Sequence, residues 1–168
     1  MPAPPGTSPD TPSPLSAPAI LAGIHACLSA DPMIRERLGT PPRLFDRVPS
    51  RGQGQGQGQG TDLHPFLTYG EMRCEDAGGD DVEAVAATLN LHVYTRYAGR
   101  AEAMEVISAV LFALARQRLR AHIPGLESVT SLFSDSFPAR NSLARHSVLR
   151  LRLVVADVAA LQAAREVA

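Results

Sequence analysis

The stretch VAATLNLHVYTRYAGRAEAMEVISAVLFAL, residues Val85 to Leu114, changes its hydrophobic period once, and that change decides the fold class. Up to Tyr94 the pattern has a period of two. Val85, Ala87, Leu89, Leu91 and Val93 fall on one face, while Thr88, Asn90, His92, Tyr94 and Arg96 fall on the other. Such alternation predicts a half-buried strand, apolar toward a core and polar toward water or a partner. After Gly99 the period becomes helical. Met104, Ile107, Leu111, Leu114 and Ala115 form the expected buried stripe, and the helix opens on Ala101, Glu102 and Ala103. No catalytic residue type stands at the turn, so the unit reads as a scaffold presenting a sheet surface.

Outward from this unit, other elements take shape. Ile20, Leu21, Ile24, Cys27 and Leu28 make an apolar helical stripe, with Ser16 as N-cap and Pro18 in the first turn. Asp31-Pro32 starts a second short helix that is expected to bury Met33, Ile34 and Leu38 and to stop at Gly39. Arg43 to Val48 and Pro65 to Glu71 read as strands, with Glu75 to Asp81 as the turn before the strand already described. Val129 to Phe137 and His146 to Val155 predict a hairpin around the loop Pro138 to Arg145. In its second strand Leu149, Leu151, Leu153 and Val155 face one way, Arg150 and Arg152 the other. The order α, α, β, β, β, α, β, β, α, with a hairpin-rich sheet and helices set apart, is α+β: a mixed, mostly antiparallel sheet packed on helices.

Three segments read differently. Residues 1–18 hold seven prolines among small and polar residues, a composition expected to stay disordered. Gly52 to Gly60 alternates Gly and Gln, and so reads as a flexible loop within residues 50–61. It is no phosphate-binding loop, because the third glycine of GxGxxG falls on Gln57. Residues 157–168 read as a helical extension capped by Asp157 and carrying Val158, Leu161 and Val167. The expected organisation is thus one domain over 19–156, with a tail before it and an extension after it.

Composition narrows the function. The chain has 168 residues, 45% of them hydrophobic and 20% charged, with a formal charge of −1, so there is no global pull toward nucleic acid or an anionic membrane. All sixteen basic residues are Arg, the mark of a GC-rich genome rather than of selection for guanidinium chemistry. Two cysteines, Cys27 and Cys74, make neither a disulfide framework nor a metal site, and both are expected to be reduced thiols. No apolar run approaches the roughly 18 residues that span a bilayer, and no secretory pattern opens the sequence. A soluble protein made in the cytoplasm, with no membrane partner, is the expectation.

Searches for chemistry end without a centre. His25 and Cys27 are two apart, a spacing that diverges on a helix. His92 sits on a polar strand face, and His146 opens another strand. No GxSxG is present, and neither cysteine has a His/Asn neighbourhood. The expectation is no enzyme, no catalytic residue, no metal and no cofactor. Two charged groups remain. Glu71, Glu75, Asp76, Asp80, Asp81 and Glu83 cluster without calcium-loop spacing, and read as a solvated turn or an electrostatic partner surface. Arg140, Arg145, Arg150 and Arg152 fall within thirteen residues with no acid among them. They are either a solvated face whose stems cover apolar surface or a face for phosphate or carboxylate.

Taken in order, ADPMIRERLG (Ala30 to Gly39), RLFDRVP (Arg43 to Pro49), HPFLTYGE (His64 to Glu71), LNLHVYTRYAGRAEAMEVISAVLFALA (Leu89 to Ala115) and ARHSVLRLRLVV (Ala144 to Val155) resemble a known family. It is the tail terminator, or tail completion, family of long-tailed phages and gene transfer agents. The resemblance covers roughly Ala19 to Val155; the Pro-rich tail, the Gly-Gln insertion and the segment after Asp157 depart from the pattern. It implies a structural virion protein: a homohexameric ring that caps the tail tube, stops its polymerisation and joins it to the head connector. It also implies assembly in the cytoplasm, a final place at the head-proximal end of the tail, and non-specific passage of DNA through the hole. A closed ring needs two different complementary patches on each subunit. Asp80, Asp81 and Glu83 of the acidic turn and Arg140, Arg145, Arg150 and Arg152 are the candidate pair; alternatively the arginines line the lumen against DNA backbone. From a different class, a small α+β domain whose arginines hold an anionic ligand also fits the residues.

Overall fold

The computed structural model describes residues 13, 15–49, 63–80, 82–96, 99–138 and 145–157. The expectations for the Pro-rich tail, the Gly-Gln loop, the C-terminal helix, Arg140 and Asp81 fall outside the described residues or almost wholly so.

Helix α1 spans Ala17–Ala30; Ser16 caps it by accepting the Ala19 amide, and Pro18 sits in the first turn. Helix α2, Pro32–Leu38, follows at a 79° bend. Asp31 makes that corner: its Oδ1 accepts the amides of Met33 at 2.9 Å and Ile34 at 3.2 Å. Gly39 ends α2 at φ 91°, a left-handed value that glycine adopts without a Cβ clash. The remaining elements are β1 (Leu44–Phe45), β2 (Phe66–Asp76), β3 (Ala84–Thr95), α3 (Arg100–Ala113), α4 (Arg116–Leu119), β4 (Leu126–Pro138) and β5 (Arg145–Ala156).

Among the described residues the five strands form one sheet in the order β1-β2-β3-β5-β4. Only β1 and β2 are parallel; the other neighbours are antiparallel. The chain is therefore α+β, as the change of period at Gly99 predicts. One face of the sheet is packed under helices. Leu89, Leu91 and Val93 of β3 and Leu149, Leu151, Leu153 and Val155 of β5 join Ile20, Ile24 and Leu28 of α1 and Val106, Ile107 and Val110 of α3 in a single core. Truncating any one of the fully buried leucines to alanine removes transfer free energy and leaves a cavity, at a cost of about 2–5 kcal/mol. Helix α1 approaches the segment before β4 closely at Gly23, where a Cβ would lie 2.4 Å from Ile123 Cγ1 and 2.8 Å from the His122 carbonyl oxygen.

Several expectations need correction. The strand expected over Arg43–Val48 is only two residues long, because β1 pairs with nothing beyond Leu67 and Thr68. Strand β2 continues past Glu71 to Asp76 through a bulge between Tyr69 and Met72, so Glu75 and Asp76 belong to the strand rather than the turn. Strand β4 begins earlier than expected, at Leu126. The stripe assigned to α3 is right at Ile107 and Leu114, which are buried, and wrong at Met104, Leu111 and Ala115, which are exposed. Ala103, Val106, Ala109, Val110 and Ala113 are buried too, and Met33 on α2 is exposed. Small residues let α3 lie close on the sheet, and the large ones flank the contact.

Candidate functional site

The second face of the sheet carries no described helix, and its residues follow from the same period of two. Register places Thr88 opposite Arg152, Asn90 opposite Arg150, His92 opposite Val148 and Tyr94 opposite His146. Across the sheet Phe66, Tyr94, His146 and Phe137 share one row, and Phe45 of β1, one row away, meets the Phe66 ring with centroids 5.9 Å apart. Phe66 stacks on Tyr94 with centroids 4.7 Å apart, and Tyr94 on His146 at 4.6 Å with planes only 6° apart. Cross-strand ring pairs of this kind add about 0.5–1.5 kcal/mol each beyond their buried area.

His92 lies one row away, its Nδ1 2.9 Å from Nε2 of His146. One imidazole must donate and the other accept, so the contact requires at least one neutral ring. Gly70, in the bulge of β2, makes room for it: a Cβ there would stand 2.4 Å from His92 Nε2. Burial lowers the pKa of both histidines; Glu71 partly offsets this for His92, and His92 lowers His146 further. In the unfolded chain each returns toward its ordinary value of 6.5, so below that pH the unfolded state binds more protons. The stabilisation is therefore complete above about pH 6.5 and is lost as pH falls through the folded pKa values. We expect the melting temperature to drop between pH 7 and pH 5, and the drop to be smaller in a His92→Gln/His146→Gln variant. Equal slopes in thermal scans of the two proteins would refute this role.

The candidate arginines do not make one patch. Arg150 and Arg152 share the open face. Arg150 Nε donates to Asn90 Oδ1 at 2.8 Å, and its guanidinium lies 5.1 Å from the Phe133 ring centre. Arg152 is exposed. Arg145 is buried on the opposite, helix-side face, where it donates to Ser136 Oγ at 2.8 Å and to the Ser136 carbonyl at 3.1 Å. It therefore does not join the surface of Arg150 and Arg152. Its odd number on an alternating strand was the available signal.

Asp80 and Glu83 lie in the connection between β2 and β3, with Glu75 and Asp76 at the end of β2. This connection borders an open groove of about 620 Å³ lined by Leu15, Cys74, Glu75, Asp76, Asp80 and Glu83 among others. Carboxylates there have the wrong sign for an anionic ligand. A second groove, between α2 and α3, is bordered by Met33, Met104, Phe112 and the Arg37–Glu105 ion pair. Neither groove is lined by Arg150 or Arg152, which weakens the ligand-binding reading.

Both cysteines are free thiols. Burial raises the Cys27 pKa, and its Sγ donates to the Ala113 carbonyl at 3.2 Å, so it packs rather than reacts. His25, on α1, meets the Tyr69 hydroxyl at 2.9 Å and ties that helix to β2. Among the described residues no three His, Cys, Asp or Glu side chains converge as a metal centre requires. No single helix among them is long and apolar enough to cross a membrane.

A family model described as tail completion protein gp17 matches residues 22–156. Among solved structures, a chain of the virion of a native gene transfer agent particle is similar to this one, with a TM-score of 0.61 at 21% identity. The match covers 82% of this chain and 94% of that chain. No curated protein matches the sequence.

Proposed function

The chain belongs to the tail completion protein gp17 family, matched over residues 22–156, and from that premise we propose that it works as a tail terminator ring. As a member of that family it is a structural virion protein. In the proposed role, six copies close into a ring that caps the last ring of the tail tube and stops its growth. The other face of the ring meets the head-side connector, and DNA passes through the hole. Assembly takes place in the cytoplasm, before the ring takes its place in the virion.

The family match carries this reading, and the placement of charge supports it. Arg150 and Arg152 stand on the open face of β5, while Asp80 and Glu83 stand in the connection after β2, next to Asp76 and to Glu75, which is ion-paired with Arg73. A heterologous interface needs two unlike, complementary patches on each subunit, and these two groups are of opposite sign. Exposed Phe137 at the end of the ring row, with exposed Phe133 on the same strand, adds apolar area of the kind that interfaces use.

Native mass by light scattering tests the proposal across a concentration series, alone and with the tube protein. A hexamer in either setting supports the ring. A strict monomer in both overturns it and returns the small anionic-ligand domain as the better reading.

A further inference from the structure

The sheet has two open edges, and they differ. On one side β4 is paired only with β5 among the described residues, so Ser128–Pro138 has no described strand along its outer edge. This strand carries exposed Leu132, Phe133 and Phe137, and the chain contains no lysine to guard it. Two bulges and a terminal proline are weak protection for an edge strand of thirteen residues. On the other side β1 covers only Leu67 and Thr68, so among the described residues β2 has no strand neighbour on that edge from Tyr69 to Asp76.

Direction and register fit these edges to each other. Strands β2, β3, β5 and β4 alternate in direction, and they are even in number. A second copy rotated about an axis along the strands therefore brings its β2 antiparallel to β4, with the helices still on the same side of the sheet. Level for level, Met72 aligns through Leu89 and Leu151 with Ser131, and Asp76 through Val85 and Val155 with Leu126. The open part of β2 is thus as long as the first half of β4. On the open face, Arg152 is separated from the β4 edge only by Thr130, a side chain short enough for a guanidinium to reach across. At that level the β2 edge carries Arg73, ion-paired at 2.7 Å with Glu75 of its own copy, so charge does not select this contact. Pairing β4 with β4 would instead make a two-fold contact, which closes a dimer and not a ring.

We propose that copies of this chain join by sheet extension, the outer edge of β4 in one copy hydrogen-bonding antiparallel to the Tyr69–Asp76 edge of β2 in the next. This rests on the ring reading and specifies its interface: a main-chain ladder gives strength, and the pairing of two unlike edges gives the head-to-tail order.

Cys74 makes the test direct, because it is an exposed thiol on the β2 edge. In a Cys27→Ala background, single cysteines are placed at Ser128, Val129, Thr130 and Ser131, and the proteins are oxidised mildly in the assembled state. Directly opposed antiparallel positions lie about 4.5–5.5 Å apart at Cα, within disulfide reach. The expected result is a covalent ladder of multimers at one or two of these positions, abolished by adding Cys74→Ser. Cross-links that survive Cys74→Ser overturn the proposal in favour of β4–β4 pairing. No cross-link at any position in a preparation whose native mass shows the hexamer overturns the edge contact and leaves the ring standing. A monomer with and without tube protein overturns the ring and the edge contact together.

Discussion

Replacing Asp31 with alanine is expected to lower the unfolding free energy by about 3 kcal/mol, a fall of roughly 10 °C in melting temperature for a domain of this size. The side chain is only 5% exposed and does three things at once. Its Oδ1 caps α2 through the Met33 and Ile34 amides. Its Oδ2 accepts Arg118 Nη1 at 2.7 Å, and Arg118 in turn lies over the Phe112 ring, 4.1 Å from its centre. One carboxylate therefore ties the α1–α2 corner to the end of α3 and to α4. Loss of the cap alone costs about 1 kcal/mol, and loss of a charge-assisted bond about 1.5–3 kcal/mol more. Half-exposed Arg118 regains water when its partner goes, which keeps the total near the lower end. Asp31→Asn separates the two contributions: asparagine still caps, so its loss should fall near half that of alanine. Equal denaturation midpoints for wild type and Asp31→Ala would sink this account.

The strand faces were legible because alternation is a property of one strand read alone. Val85 to Tyr94 and Leu149 to Val155 declare their faces without knowledge of any neighbour, and the structure places them as the pattern predicts. The phase of α3 was only partly legible from side-chain size. Met104 and Leu111 are the larger residues, yet close packing on a sheet favours Ala103, Ala109 and Ala113 at the contact. The same bias toward size misplaced Met33.

Register hid the rest. His92 and His146 are 54 residues apart and meet only because β5 inserts between β3 and β4. Nothing within either strand specifies that insertion. The ring row from Phe66 to Phe137 depends on the same order, as does the space that Gly70 leaves for His92. For the arginines, proximity in sequence suggested one patch, while the period of two already assigned Arg145 to the other face. There the stronger rule was available and the weaker one prevailed.

The Arg150→Glu/Arg152→Glu double variant should fold as wild type but fail to assemble. Within the monomer it loses the Arg150–Asn90 hydrogen bond and the stacking over Phe133, together about 1 kcal/mol on a half-exposed face. If the arginines meet carboxylates of the neighbouring copy in the proposed ring, their reversal turns attraction into repulsion at every interface. At about 1 kcal/mol or more for each reversal, an interface weakens by roughly 2–3 kcal/mol, on the order of 100-fold in affinity. Light scattering at a fixed concentration should then show monomer where wild type shows the ring. Raising salt should weaken wild-type assembly and, by screening the repulsion, relieve part of the variant's defect. A compensating reversal tells an interface from a lumen. If Arg152 meets a neighbour's carboxylates, adding Glu75→Arg and Asp80→Arg to the double variant restores the ring. If the arginines face DNA through the hole, the compensating pair restores nothing, and the double variant assembles normally but yields particles defective in DNA passage. A double variant that both assembles and yields wild-type particles removes these residues from either role.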